Sequence, residues 1–150
     1  MTLGISLLLL LQSLEHGVEQ FHGGEYAAAR QTLAGTPPSE TRDVFLSLAE
    51  AATGQCTTAM PRLQREYKDA NLRRLASLGL IQCLLAQHRV ADALPIAGRL
   101  EREFPSDADV LYQSARLHMR AFNDAVNRMF ERTPASFRVN QLSGEIFELQ

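Results

Sequence analysis

The chain has 150 residues, which is enough for one domain with a sizeable core. Its 15 basic and 17 acidic residues give a net charge of −2. That balance argues against a nucleic-acid binder, because such proteins usually gather a basic excess on one face.

The first segment, residues 1–12, contains an apolar run from Leu3 to Leu11. The run is too short to span a bilayer, which needs roughly 20 apolar residues. Its length fits the apolar region of a secretory signal, and the protein would then be exported to a periplasm-like compartment. No Lys or Arg precedes it and no A-x-A cleavage site follows it, so a leading helix of a cytoplasmic protein is the alternative, slightly favoured.

The stretch from Gly17 to Leu33 predicts two helices joined by a tight turn. The first helix ends at the pair Gly23-Gly24, and the second begins at Glu25. Gly24 suits this position because a glycine takes positive φ without a Cβ clash. Apolar residues then recur at helical spacing, which predicts a helical hairpin that must bury its faces against further hairpins.

The chain repeats this pattern. Gly24, Gly54 and His88 occupy the same point in three successive units. The same spacings relate two further sets of small or apolar residues and a pair of prolines, namely Ala29, Ala59 and Ala93; Leu33, Leu63 and Ala97; and Pro61 and Pro95. A proline near a helix start removes an amide that has little or no intrahelical partner, so its recurrence supports the register.

The repeats divide residues 13–150 into units of about 13–37, 39–70, 71–105 and 106–134 and a partial unit, 135–150. Ser39, Asn71 and Ser106 are the expected N-caps of the later units, and the second helix of the second unit is expected to extend to Tyr67. Val110 to Glu131 contains no Gly or Pro, which predicts one long helix or two helices meeting near Asn123-Asp124, with the continuous form preferred. The last helix lacks a second helix, so either the chain is a fragment of a longer protein or this helix covers its face on another molecule.

This pattern resembles the tetratricopeptide repeat (TPR) family, whose repeat is a helix-turn-helix of about 34 residues. The residues that carry the resemblance are Gly17, Gly24, Tyr26, Ala29, Leu33, Gly54, Ala59, Leu63, Ala93, Leu100, Pro105, Gly144 and Phe147. The family's early Trp is absent, Ile81 stands where a small residue is usual, and the fourth unit is short.

The resemblance implies an all-α fold, a right-handed superhelix of stacked antiparallel helix pairs (an α-solenoid). Its first helices would line a concave groove that binds a peptide or protein partner. The residues at matching groove positions are Glu15, His22, Phe45, Leu48, Gln82, Tyr112, Gln113, Arg116, Met119, Arg120, Gln141 and Glu145. The Lys/Asn clamp with which some members bind C-terminal carboxylates has no counterpart at these positions, so that ligand type is not supported.

The sequence therefore predicts a non-catalytic scaffold for protein–protein contacts, without a membrane span, a nucleic-acid partner or a cofactor. A self-assembling structural module is the alternative, because the terminal helices would leave apolar area exposed. No phosphate loop, nucleophile motif or metal-ligand spacing is present, and Cys56 and Cys83 lie far apart among apolar residues, where buried free thiols are expected.

Two arginine features remain. Arg116 and Arg120 share one helix face and form either an anion-binding patch in the groove or a solvated face balanced by Asp109 and Asp124. A second, larger basic cluster is interpreted as a solvated helix end and the turn after it, and it consists of Arg62, Arg65, Lys68, Arg73 and Arg74.

Overall fold

The computed structural model of the protein describes residues 13–148, which form eight helices and no strand. The predicted all-α class is confirmed. The helices are α1 (13–22), α2 (Tyr26–Ala34), α3 (Glu40–Ala52), α4 (Cys56–Leu63), α5 (Ala70–Ala86), α6 (Val90–Glu103), α7 (Ala108–Arg132) and α8 (Phe137–Glu148). Within this part of the chain, no helix combines the length and apolar character needed to cross a membrane. The predicted leading helix or signal at 1–12 lies outside the described residues.

Three turns of the same construction join α1 to α2, α3 to α4 and α5 to α6. In the first turn the Gly24 N–H donates a hydrogen bond to the Phe21 carbonyl at 3.0 Å, and the Glu25 N–H donates one to the Gln20 carbonyl at 2.9 Å. The same pair of backbone bonds recurs around Gly54 and around His88. This is the Schellman arrangement, which requires a left-handed residue after the helix. Gly24 and Gly54 accordingly have φ of +81°, and His88 has φ of +58°. The repeat register inferred from these residues therefore corresponds to one repeated turn geometry.

His88 is exposed, and it takes the place that glycine has in the other two turns. A left-handed conformation costs an L-residue with a Cβ about 1 kcal/mol. We expect His88→Gly to raise the free energy of unfolding by about 0.5–1 kcal/mol. Urea unfolding followed by circular dichroism measures the change. The reciprocal variant Gly54→His should lose a similar amount, and equal midpoints for the two variants would contradict this reasoning.

The helix N-caps agree with the sequence at Ser39 and differ at two other positions. The Ser39 hydroxyl accepts the Arg42 N–H at 3.1 Å. The α5 cap is Asp69 rather than Asn71, and the α7 cap is Asp107 rather than Ser106. In both places the cap is an aspartate close in sequence to the expected residue. Its carboxylate accepts a hydrogen bond from the backbone N–H three residues later, which would otherwise be unpaired at the helix start.

The helix α4 ends at Leu63, one turn earlier than expected. Tyr67 therefore lies in the following loop, where it is buried and its hydroxyl donates to the Arg62 carbonyl at 2.8 Å. Burial raises the pKa of the Tyr67 hydroxyl. The apolar pattern identified Tyr67 as a core residue correctly, but the backbone beneath it is not helical.

The core runs through the helices as one connected cluster from α2 to α7. α3 packs against α2, α4 and α5, and α5 packs against α6 and more lightly against α7. The first helices of successive units, α3, α5 and α7, therefore lie side by side. Gly79 permits the α3–α5 contact, because a Cβ at this position would lie 2.5 Å from Leu48 Cδ2 and 3.3 Å from Leu63 Cδ2. The close approach that the repeat pattern expects near Ile81 is thus made by Gly79 instead.

Helix α7 is continuous over its 25 residues, which confirms the preferred prediction. Its first half is anchored in the core by Val110 and Leu117, whereas residues 118–132 contain no buried residue. α8 follows, and within it Val139 is buried. Large exposed apolar side chains concentrate on this C-terminal part, at Met119, Phe122, Phe130, Phe137 and Phe147.

Cys56 and Cys83 form a disulfide, so the expectation of free thiols is wrong. Cys56 is the first residue of α4, and Cys83 lies near the end of α5. The packing of α4 against α5 brings their Cα atoms to 5.3 Å across 27 residues of sequence, a distance within the usual range for disulfides. The expected burial is correct for Cys83, whereas Cys56 is partly exposed. Local apolar surroundings carry no information about which thiol lies opposite.

Most arginines of the basic cluster at the junction of α4 and α5 form ion pairs, so the cluster is more than a solvated helix end. Arg65 pairs with Asp43 at 2.8 Å. Arg73 donates from Nε to Glu103 at 2.9 Å, which lowers the pKa of that carboxyl. The other two pairs in the cluster are Arg62 with Glu50, and Arg74 with Asp107 at 3.3 Å and with Asp109 at 3.4 Å. These arginines link successive helices.

Candidate functional site

A cavity of about 490 Å³ lies between the C-terminal half of α5 and the middle of α7. Such a volume falls within the range of about 300–1,000 Å³ that is typical of ligand pockets. The cavity is lined by Gln82, Leu85 and Ala86 from α5 and by Arg116, Met119, Arg120 and Asn123 from α7. Four groove residues predicted from the sequence, Gln82, Arg116, Met119 and Arg120, are thus brought together here. We call this the α5–α7 cavity.

Helix geometry explains why these side chains converge. Val110 and Leu117 are buried on the inner side of α7 and anchor its first half. Arg116 and Arg120 are one turn apart, so they project from one face beside that anchored side. Gln82 and Ala86 are likewise one turn apart on α5 and are exposed. The two walls of the cavity are therefore two neighbouring first helices, one of which supplies both charges.

The side chains that contact the two guanidinium groups are aromatic rings. Arg116 lies over the ring of Tyr112, with Cζ 5.6 Å from the ring centre. Arg120 Nη2 is 3.5 Å from Nδ1 of His88, on the turn between α5 and α6. In residues 13–148 neither arginine forms an ion pair with a carboxylate. Asp109, expected as a balancing charge, pairs instead with Arg74. The cavity therefore carries net positive charge at one wall.

Two further residues of α7 that were predicted to line the groove, Tyr112 and Gln113, differ in exposure. Tyr112 is 62% exposed and lies one turn before Arg116, whose guanidinium it contacts. Gln113 is buried, and its Oε1 lacks a hydrogen-bond partner among the described residues. The Gln113 side chain therefore lies within the packed helices in this structure and does not line the α5–α7 cavity.

Phe45 and Leu48, also predicted to line the groove, are buried between helices in this structure. Phe45 packs edge-on against Phe21 and His22, with ring centres 5.5 Å away in each case. Leu48 occupies the space that Gly79 leaves open on α5. α3 has packed helices on both sides, and these cover the positions that would otherwise line a groove.

The remaining predicted residues lie away from the α5–α7 cavity. Gln141 and Glu145 line a smaller cavity of about 230 Å³ with Met129, Arg138 and Leu142. Gln141 donates to Glu145 at 2.9 Å and accepts from Arg138 at 2.6 Å, so these polar groups satisfy one another. Glu15 and His22 are exposed on α1.

Four residues of the cavity region escaped sequence reasoning as site residues: Leu85, Ala86, Asn123 and His88. Leu85 is part of an apolar pattern that runs almost all round α5, and this pattern does not distinguish the core side from a cavity wall. His88 has a recognisable signal, since it replaces glycine at a repeated turn. Its contact with Arg120, however, joins residues 32 apart and depends on the packing of α7.

In the part of the chain that the structure describes, no three His, Cys, Asp or Glu side chains gather in a way that could bind a metal ion. What the site offers chemically is a concave surface with two arginines, two amides and an apolar lining. Comparison with known proteins adds no assignment: no protein-family model, no curated protein and no solved structure matches this chain.

Proposed function

We propose that the protein is a non-catalytic module that binds a segment of a partner protein in the α5–α7 cavity. In this proposal the helix pairs stack as in the right-handed superhelix of TPR proteins, and the first helices line its concave side. The observation that carries the proposal is the convergence of Gln82, Arg116, Met119 and Arg120 around one cavity of about 490 Å³.

The composition of the cavity supports a protein partner. Arginine, methionine and tyrosine are enriched in protein interfaces, and Arg and Tyr are frequent among the residues that dominate binding energy. Arg116, Met119 and Arg120 line the cavity, and Tyr112 contacts Arg116. Met119 is 64% exposed and Tyr112 is 62% exposed, so both side chains are accessible to a bound segment.

The test fills the cavity without changing its charge. Ala86 is exposed at the end of α5, so Ala86→Trp should leave the fold intact while its indole occupies the cavity. We expect the variant to bind partner proteins at least about tenfold more weakly than the native chain, because the indole would occupy the space that the bound segment needs. Quantitative capture from an extract of the source cells measures this, with the bound proteins identified by mass spectrometry.

The matched control is Ala27→Trp, which adds the same side chain at an exposed alanine on α2. Partners that are retained by Ala27→Trp and lost by Ala86→Trp support the proposal. Equal capture by both variants would place the binding surface elsewhere and contradict it.

A second function, self-assembly, is favoured by the exposed apolar side chains of α7 and α8. Phe147 is 80% exposed and Phe137 is 67% exposed, and apolar patches of this kind commonly mark contact surfaces. The same capture experiment distinguishes this alternative. If the captured protein is the chain itself, with Ala86→Trp behaving like the native form, self-assembly replaces partner binding, and light scattering then gives the number of copies.

The disulfide favours an oxidising compartment as the place where the protein acts. Disulfides persist in secreted and periplasmic proteins and are rare where thiols are kept reduced. Cys56 and Cys83 are bonded in this fold, and Cys83 is fully buried. We therefore propose that the partner is met outside the reducing cytoplasm.

A further inference from the structure

We infer that the α5–α7 cavity recognises an acidic segment of its partner, with two carboxylates flanking an apolar side chain in an extended stretch of chain. This inference rests on the proposed function and specifies the chemistry of the ligand. It is carried by three observations: unneutralised charge on one wall, the spacing of that charge, and the apolar character of the opposite wall.

The first observation is charge without an internal partner. Elsewhere in the fold, several arginines that link helices pair with carboxylates, as Arg62 and Arg65 on and after α4 pair with Glu50 and Asp43 on α3. Arg116 instead contacts an aromatic ring, and Arg120 contacts a ring nitrogen. Each guanidinium has five N–H donors in a planar fork, which suits bidentate binding of a carboxylate. These contacts leave most of the donors of both groups unused.

The second observation is spacing. Residues four apart on an α-helix are separated by about 6 Å along its axis. In an extended peptide, side chains two residues apart point to the same side and are separated by about 6.6 Å. An extended segment that lies along α7 therefore places two acidic side chains, two residues apart, opposite Arg116 and Arg120.

The third observation concerns the opposite wall. The residue between the two acidic ones points to the other side of an extended segment. That side is the α5 wall, to which Leu85 and Ala86 contribute apolar surface beside the amide of Gln82. In such a segment the two acidic side chains would contact the arginines of α7, and the apolar side chain between them would contact Leu85 and Ala86 of α5. A nucleic acid fits less well, because it presents charge without an apolar side chain and the chain as a whole has a net charge of −2.

The experiment uses three fluorescein-labelled peptides and fluorescence polarisation with the full chain. The probe is the capped heptapeptide GSELEGS, and the comparison peptides are GSQLQGS, which removes both charges, and GSESEGS, which removes the apolar residue. We expect the acidic probe to bind the native chain at least about tenfold more tightly than the amide peptide, which is the loss expected when charge-assisted hydrogen bonds are removed. Binding of GSESEGS should be intermediate.

The variant Arg116→Gln/Arg120→Gln should lose at least about tenfold of the affinity for GSELEGS. Arg99→Gln/Arg102→Gln is the matched control, since it removes the same charge from exposed positions on α6 and should bind as the native chain does. Both pairs are exposed, and urea midpoints verify that neither variant is unfolded.

Equal binding of the acidic and amide peptides, absence of binding by the native chain, or equal loss in the two arginine variants would each overturn the inference. Binding of single-stranded oligothymidine that depends on Arg116 and Arg120, without discrimination between the peptides, would also overturn it and assign a nucleic acid instead. If the peptides fail while Ala86→Trp still abolishes partner capture, the proposed function stands and only the acidic ligand is wrong. If Ala86→Trp has no effect on capture, the proposed function itself fails.

Discussion

Reduction of the Cys56–Cys83 disulfide is expected to lower the free energy of unfolding by about 3 kcal/mol. The bond closes a loop across 27 residues, and the loss of its constraint on the unfolded chain is of this size for such a loop. Urea unfolding with and without dithiothreitol measures the difference. The midpoint should fall in the presence of reductant while the helical signal before the transition is unchanged.

The control is Cys56→Ala/Cys83→Ala, which lacks both thiols. Its midpoint should lie close to that of the reduced native chain, and the reductant should leave it unmoved. A native midpoint that is the same in both conditions would show that the bond contributes nothing to stability. A double variant that shifts with reductant would point to an effect of the reductant on something other than this bond.

Removal of the Arg62 guanidinium should lower the free energy of unfolding by about 2 kcal/mol. Arg62 lies on α4 and pairs with Glu50 on α3, and its Nε donates to the Ser47 hydroxyl at 2.8 Å. The Glu50 side chain is 9% exposed and that of Arg62 is 21% exposed, so Arg62→Met leaves a nearly buried carboxylate without its partner. Breaking a fully buried pair costs about 3–5 kcal/mol, and the partial exposure of Arg62 reduces that figure.

Two further variants test whether the stability lost in Arg62→Met comes from the unpaired carboxylate of Glu50. In Arg62→Met/Glu50→Gln the orphaned charge is removed as well, so part of the lost stability should return. Arg89→Met removes an arginine from the exposed pair with Asp92 and should change stability by less than about 0.5 kcal/mol. Urea midpoints for all three variants decide the matter. Equal losses for Arg62→Met and Arg89→Met would contradict the role assigned to burial.

Features that depend on a few consecutive residues could be predicted from the sequence. The turn at Gly24 requires a left-handed residue, and the same requirement recurs at Gly54 and His88, so a repeated turn was readable from spacing alone. The continuity of α7 followed from the absence of Gly and Pro between Val110 and Glu131. These are local properties of backbone and capping chemistry.

Features that depend on the packing of distant segments could not be read in this way. The Cys56–Cys83 bond and the contact of Arg120 with His88 each join residues that lie far apart in sequence. Helical spacing predicts the face on which such side chains lie, but it does not predict which residues lie opposite them. The ion pairs of the basic cluster, such as Arg73 with Glu103, were missed for the same reason.

The α5–α7 cavity includes some of the residues predicted to line a groove and excludes others, and this difference has a physical cause. Arg116, Met119 and Arg120 line the cavity because they lie on the middle of α7, on positions that the neighbouring helices leave exposed. Phe45 and Leu48 occupy comparable places on α3, where neighbouring helices bury them. A repeat register gives the face of a residue, whereas exposure also depends on which helices flank it.

The disulfide between α4 and α5 also bears on how the molecule opens. Helices that pack mainly on their neighbours in sequence can separate locally, beginning at either end of the chain, without loss of the whole fold. The bond joins the second helix of one unit to the first helix of the next, at a central place in the row of helices. We therefore expect α4 and α5 to remain joined at this bond when neighbouring helices separate locally.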